Sequence, residues 1–103
     1  MVIGMKRGTT PTHSFGIPFD VETLNRVRIT YSQNKKILFV KEDDEVAIDG
    51  NKLQVRLSQE ETLMCRPENS VEIQLKVLLN DGNVLVSDII NDNVEDCIDE
   101  EVL

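Results

Sequence analysis

Two Asp-Gly-Asn triplets constrain the fold more than any other feature of this 103-residue sequence. The triplets begin at Asp49 and Asp81, and each lies between two runs in which apolar and polar residues alternate. Alternation places the apolar side chains of a strand on one face, and glycine accepts the positive φ that a type I′ turn requires. The sequence therefore predicts two β-hairpins, the first with arms 45–48 and 52–57, the second with arms 71–79 and 84–90.

Three further segments have the character of strands. Residues 26–31 alternate strictly, which places Val27, Ile29 and Tyr31 on one face. Within residues 36–41, the four residues from Ile37 to Val40 are apolar on both faces, which favours a central strand.

A first strand is predicted near residues 13–19. Pro18 lies within that run, and proline cannot donate to a β-ladder, so an edge position is favoured.

One short helix is predicted after the first hairpin. Ser58 and Glu61 have the spacing of a capping box, in which the serine hydroxyl and the glutamate side chain each satisfy one free backbone N–H group. Pro67 ends the helix soon afterwards.

The spacing of these elements indicates an all-β chain. About seven short strands recur at intervals of about ten residues, without the long helices that parallel crossovers need. We expect an immunoglobulin-like β-sandwich of about seven short strands with one short helical turn. The expected organisation is a flexible N-terminal segment (1–11), the sandwich domain (12–93) and an acidic C-terminal segment (94–103).

The charge distribution disfavours nucleic acid as a partner. Six of the 19 acidic residues lie within 92–103, and the remaining acids nearly balance the 11 Lys and Arg residues. Because its acidic and basic residues nearly balance, the rest of the chain lacks the excess of Lys and Arg that binds a phosphate backbone.

The sequence has no apolar run that approaches the length of about 20 residues that spans a bilayer. The N-terminal charges follow a very short apolar stretch, unlike those of a signal peptide. We expect an intracellular protein that binds neither membranes nor nucleic acid and is not secreted.

The residues that usually perform catalysis lack partners in this sequence. His13 is the single histidine, so no two-histidine metal site can form within one chain. Cys65 and Cys97 have no metal or redox spacing; free thiols are favoured, although a disulfide stays open. The acidic run 42–45 could suggest calcium, but it lacks the spacing of a calcium loop and is more typical of a solvated surface. We expect no enzymatic activity, no cofactor and no bound metal.

The acidic C-terminal segment carries the candidate partner-binding residues. Val94, Ile98, Val102 and Leu103 recur about every four residues, which would align them on one helical face. A solvated terminus and an extension of the last strand are the alternatives. We expect a homo-oligomer that forms through a tail-to-body contact or through edge pairing along residues 84–90.

Three stretches of the sequence resemble small proteins from phages and prophages of low-GC Gram-positive bacteria. They are MKRGTTPTH (5–13) followed by Phe15 and Phe19, RITYSQ (28–33), and LSQEETL (57–63) with VEIQLKV (71–77), Asp81-Gly82 and SDII (87–90). The layout is also similar to the N-terminal immunoglobulin-like domain of phage baseplate upper proteins, in which a strand, a Leu-Ser/Thr-x-Glu turn, an Asp-Gly hairpin and a final strand follow in the same order. The acidic ending at 92–101 departs from the more basic ending expected of these proteins.

The resemblance implies a non-enzymatic structural or accessory protein of a phage tail, baseplate or head. Its partners would be other phage structural proteins, and it would be found in the virion or the host cytoplasm. The alternative, which follows from the charge, is a small acidic regulator or inhibitor that occupies the basic site of a partner protein.

Overall fold

The computed structural model describes residues 5–18 and 21–103, which form two β-sheets. Within these ranges there are nine strands, one α-helix and two 3₁₀ turns. The strands are β1 Met5–Lys6, β2 Thr12–Gly16, β3 Leu24–Gln33, β4 Lys36–Glu42, β5 Val46–Asp49, β6 Lys52–Arg56, β7 Ser70–Leu79, β8 Val84–Val86 and β9 Ile90–Glu95; the helix α1 is Gln59–Leu63, and the 3₁₀ turns are Val21–Thr23 and Asp43–Glu45.

The larger sheet has the strand order β1-β9-β7-β3-β4, and β8 pairs with the second half of β7. The smaller sheet has the order β2-β6-β5. All neighbouring strands are antiparallel, except that β1 runs parallel to β9. The predicted all-β, sandwich-like fold with one short helix is confirmed, with more strands than the seven expected.

The core lies between the alternating faces of β3 and β7 and the smaller sheet. Val27, Ile29 and Tyr31 are buried as predicted, and their partners on β7, which are Val77, Leu75 and Ile73, are buried too. Leu53 and Val55 of β6 complete this core from the other sheet. The residues between them on β3 and β7 therefore form the outer face of the larger sheet.

The capping box that begins α1 is present. The Glu61 backbone N–H donates to the Ser58 hydroxyl at 3.1 Å, and the Ser58 backbone N–H donates to the Glu61 carboxylate at 2.8 Å. The same carboxylate lies 2.7 Å from the buried ammonium group of Lys41 on β4. This ion pair fixes the helix against the end of the larger sheet.

Both predicted Asp-Gly hairpins form, but neither uses a type I′ turn. Gly50 has a φ of 62°, while the next residue does not share the positive φ, which is the type II′ pattern. Gly82 has a φ of 91° and its N–H donates to the Leu79 carbonyl at 3.0 Å, so it closes a three-residue loop. The two-residue turn with positive φ at both positions is at Asn34 (50°) and Lys35 (65°), between β3 and β4.

Three predicted strands differ from the structure in position or extent. Strand β4, predicted to be central, is at the end of the larger sheet, because neither β5 nor any other described strand pairs with its second side. The predicted arm 84–90 is divided into β8 and the start of β9, which pair with different halves of β7. The first strand has the predicted edge position but ends at Gly16, before Pro18, and Phe19 lies outside the described residues.

The two ends of the described chain meet in the larger sheet. Met5 pairs with Val94 and Lys6 with Glu95, and the side chains of Met5 and Val94 are both buried in the core. The structure therefore differs from the predicted boundaries at 12 and 93, since residues on both sides of them belong to the sheet.

Candidate functional site

The four residues predicted to form an apolar helical face do not lie together. Val94 belongs to β9 and is buried, whereas Ile98, Val102 and Leu103 are exposed. Residues 96–103, called the C-terminal arm from here on, contain no helix. The reason is that β9 continues the sheet through Val94, and the arm is then held in an irregular conformation by polar contacts.

Arg7 is the main anchor of the C-terminal arm. Its guanidinium donates to the carboxylates of Asp96 at 3.0 Å and Glu100 at 2.9 Å. The same group donates to the backbone carbonyls of Cys65 at 2.8 Å and Leu63 at 3.1 Å, at the end of α1. Hydrogen bonds from Arg7 lower the pKa of Asp96, because they stabilise its charged form.

Gln59 holds the end of the arm. The Leu103 backbone N–H donates to the Gln59 amide oxygen at 2.9 Å, and the Gln59 amide donates back to the Leu103 carbonyl at 3.4 Å. These contacts are polar, and they leave Ile98 and Leu103 fully exposed.

Strand β8 pairs with the other half of β7, on the same side of that strand as β9, and presents an apolar edge. Val84, Leu85 and Val86 are between 44% and 54% exposed. The Leu79–Asn83 and Ser87–Leu75 backbone hydrogen bonds show that odd-numbered residues of this segment bond to β7. In an antiparallel ladder the backbone N–H and C=O groups of the alternate residues point away from the paired strand. The groups of Val84 and Val86 therefore point away from β7. No described strand pairs with that side.

A groove with a cationic rim lies beside β8 on the outer face of the larger sheet. Its volume is about 240 Å³, and its lining combines three cations with apolar surface: Arg26, Val27, Arg28, Lys76, Val77, Leu78 and Val84. Arg28 and Arg26 bind Glu42, at 2.8 and 3.6 Å. Among the described residues, Lys76 has no carboxylate within ion-pair distance. The groove therefore keeps an unneutralised cation next to apolar side chains.

A polar cluster joins the two sheets below the surface. His13 of β2 faces Tyr31 of β3 and Asp92 of β9, with 2.7 Å from His13 Nδ1 to the Tyr31 hydroxyl and 3.7 Å from His13 Nε2 to the Asp92 carboxylate. Burial lowers the pKa of His13, opposed by the Asp92 charge, and burial raises the pKa of Tyr31 and Asp92. Tyr31 is fully buried, so the position of the cluster suits inter-sheet contact rather than contact with a ligand.

Cys65 and Cys97 are free thiols, and burial raises the pKa of Cys65 to about 11. No group of three His, Cys, Asp or Glu side chains in the described ranges is close enough to hold a metal ion. The one α-helix of residues 5–18 and 21–103 spans five residues, and no helix there has the length and hydropathy of a membrane span.

Comparison with known proteins does not assign the chain to a family. No protein-family model matches the sequence, and no curated protein matches it at a significant level.

The groove and the Arg7 anchor are the features that sequence reasoning missed. The groove had a signal, because the alternation that buries Val27 and Val77 also places Arg26, Arg28 and Lys76 together on the opposite face. The role of Arg7 had no signal in the sequence, because the partners of its side chain lie at least 56 residues away along the chain.

Proposed function

We propose that this protein is a non-enzymatic protein-binding module that serves as a structural or accessory component of a phage particle, in its tail, baseplate or head. The observation that carries the binding function is the apolar outer edge of β8 beside the cationic groove. The phage assignment rests on the resemblance of residues 5–13, 28–33 and 57–90 to small phage and prophage proteins.

The β8 edge has the properties of a surface to which a partner strand adds. An exposed edge offers unpaired N–H and C=O groups, and soluble proteins usually protect it with lysine, proline or a bulge. Strand β8 is short, at three residues, but it carries no lysine or proline, since it consists of Val84, Leu85 and Val86. A partner strand would bond to the outward groups of Val84 and Val86 and cover their side chains.

The groove indicates the chemistry of the segment that binds. Lys76 and Arg28 are directly opposite each other on neighbouring strands, and like charges in that arrangement destabilise a sheet. A carboxylate of the partner would relieve this repulsion, while its apolar side chains would cover Leu78 and Val84. The occupant that we propose is an extended segment in which acidic and apolar residues are mixed.

The acidic character of the chain supports a second candidate, a regulator or inhibitor that occupies a basic site on its partner. The net charge is −8, and the C-terminal arm concentrates acidic residues. However, Arg7 already binds Asp96 and Glu100 within the chain, which reduces the free negative charge that the arm presents. The particle-associated role is therefore our first choice.

The test uses proline at an edge position. Val86→Pro removes only the outward N–H of β8, so it blocks strand addition without breaking a hydrogen bond to β7. Val86→Thr is the matched control, because it keeps the N–H and the β-branched shape. Phage particles from the host that encodes the chain would be purified and labelled with an antibody against this protein, for electron microscopy and quantitative immunoblotting.

We expect the unmodified protein and Val86→Thr in the particles and a strong loss of Val86→Pro, with all three proteins folded by circular dichroism. Particles that lack the unmodified protein would overturn the phage assignment and favour the regulator. Equal incorporation of Val86→Pro and Val86→Thr would overturn the role of the β8 edge.

A further inference from the structure

We infer that the segment that binds the groove and the β8 edge is the C-terminal arm of a second copy of this chain, so that copies associate head to tail. This inference rests on the proposed function, since it names the partner of the same surface.

The arm has the composition that the groove requires. Ile98 and Leu103 are fully exposed, so the apolar surface that they contribute is not used within the chain. Asp99 and Glu101 are exposed as well, and Arg7 does not bind their carboxylates. The Asp99 carboxylate accepts one hydrogen bond, from the Glu101 backbone N–H at 2.9 Å. Among the described residues neither carboxylate forms an ion pair, so the arm offers two carboxylates without a cation beside exposed apolar side chains while it stays anchored by Arg7.

The groove provides the complementary surface. Lys76 is exposed and lacks a carboxylate partner in the described part of the chain, and Arg28 opposite it is about half exposed. Leu78 and Val84 form the adjoining apolar surface. In a chain with a net charge of −8, this is a site where an acidic segment of an identical molecule meets attraction rather than repulsion.

The strand order places the arm and the groove at opposite ends of β7. Strand β9 runs antiparallel to β7, with Asn93 beside Ser70, and the chain then continues beyond the first residue of β7 into the arm. The groove is beside Leu78, where β8 pairs. The two positions are separated by roughly 26 Å at 3.3 Å per residue. An arm held by Arg7 cannot fold back over that distance, so the groove that it binds is on another molecule.

This geometry defines the type of assembly. The arm of one copy and the groove of the next are different surfaces, so the contact is heterologous and repeated copies form a ring or an open chain. Because the contact depends on exposed charges, we expect it to weaken as the salt concentration rises.

The experiment is analytical ultracentrifugation of the full chain and its charge variants. Lys76→Glu reverses the groove, and the double substitution Asp99→Lys with Glu101→Lys reverses the arm. Lys52→Glu is the matched control for the groove, because Lys52 is an exposed lysine on β6 of the other sheet. The substituted side chains are exposed, and circular dichroism checks that each variant keeps the fold.

We expect the unmodified protein and Lys52→Glu to associate with increasing concentration. The association constant of each reversed variant should be lower by a factor of about ten or more. An equimolar mixture of the two reversed variants should associate again, because the arm of each meets a groove of opposite charge. Mixing restores association if the contact joins the arm of one copy to the groove of the next. A contact between two β8 strands would not involve the arm, so the arm substitutions alone would then leave association unchanged.

Two outcomes would overturn the inference. One is a protein that stays monomeric at every concentration, and the other is association that is unchanged by either reversal. If Val86→Pro still loses its place in the particle in such a case, the proposed binding function stands and its partner is a different protein.

Discussion

The imidazole Nδ1 of His13 and the hydroxyl of Tyr31 lie 2.7 Å apart, and this hydrogen bond links the smaller sheet to strand β3 of the larger one. Tyr31 also stacks on Phe39 of β4, with a distance of 4.6 Å between ring centroids. One side chain of β3 thus contacts β2 of the smaller sheet and β4 of the larger one.

We expect Tyr31→Phe to lower the free energy of unfolding by about 1–3 kcal/mol, because it leaves the half-buried His13 without its hydrogen-bond partner. Urea unfolding measures the change. The control is the same substitution in a His13→Leu background, where no donor or acceptor is left unsatisfied and the further loss should be small. An equal loss in both backgrounds would mean that the hydroxyl does not act through His13.

The stability of the protein should fall as the pH decreases below about 6.5, the ordinary pKa of histidine. Burial lowers the pKa of His13 in the folded state, so folding favours the neutral ring. The stabilisation is complete above the unfolded-state pKa and is lost as the pH falls through the lower folded-state value. NMR titration of the single histidine gives the pKa directly, and melting temperatures from pH 7 to pH 5 give the stability.

Asp92 contributes in the opposite direction over a lower pH range. Burial raises its pKa, so its contribution is present below the ordinary value for aspartate and is lost as the pH rises through the folded-state value. His13→Gln separates the two effects, because it removes the histidine titration and keeps a polar side chain. A decline in stability near pH 6 that survives this substitution would assign the effect to other groups.

Replacing Lys35 with glycine should stabilise the protein by about 0.5–1 kcal/mol. Lys35 has a φ of 65° in the turn between β3 and β4, and a left-handed conformation costs a residue with a Cβ atom about 1–2 kcal/mol. Glycine avoids this cost but loses more entropy on folding, which reduces the gain.

Lys36→Gly is the matched control for that turn, because Lys36 is the next residue and begins β4 without a positive φ. It should destabilise by about 0.5–1 kcal/mol, since glycine weakens a strand. Chemical denaturation of the two variants should therefore show shifts of opposite sign. Shifts of the same sign would contradict the backbone explanation.

Arg7→Gln should release the C-terminal arm. The substitution removes hydrogen bonds to two carboxylates and to the carbonyls of Leu63 and Cys65, which should cost about 1.5–3 kcal/mol of stability. Hydrogen exchange followed by mass spectrometry should show loss of protection in residues 96–103. Lys6→Gln is the neighbouring control, because this exposed lysine makes one ion pair at 4.0 Å and should change stability by less than about 0.5 kcal/mol.

Regular strands could be predicted from the sequence because their signal is local. The alternation of residues 26–31 and 71–79 predicts the buried faces of β3 and β7, and the Ser58–Glu61 spacing predicts the start of α1. The hairpins were predicted at the right positions with the wrong turn type, because a glycine accepts positive φ in several turn types and the loop length decides among them.

Features that depend on distant pairing could not be predicted. Strand β1 has two residues, and its position follows only from contact with Val94 and Glu95 at the other end of the chain. The same contact explains why the predicted helical face was wrong, since the sheet extends through Val94 and separates it from Ile98. The groove beside β8 depends on which half of β7 each later strand joins, and the sequence pattern is compatible with either arrangement.

The parallel pairing of β1 with β9 also sets the order of events during biosynthesis. Arg7 and its partner Asp96 are 89 residues apart. A ribosome that adds 5–20 residues per second takes roughly 4–18 s to make that stretch. Throughout this time Met5 has no strand to pair with, and the core position that Val94 fills is vacant. The nascent chain therefore reaches its native state only after translation of the last strand, because β1 finds its partner there.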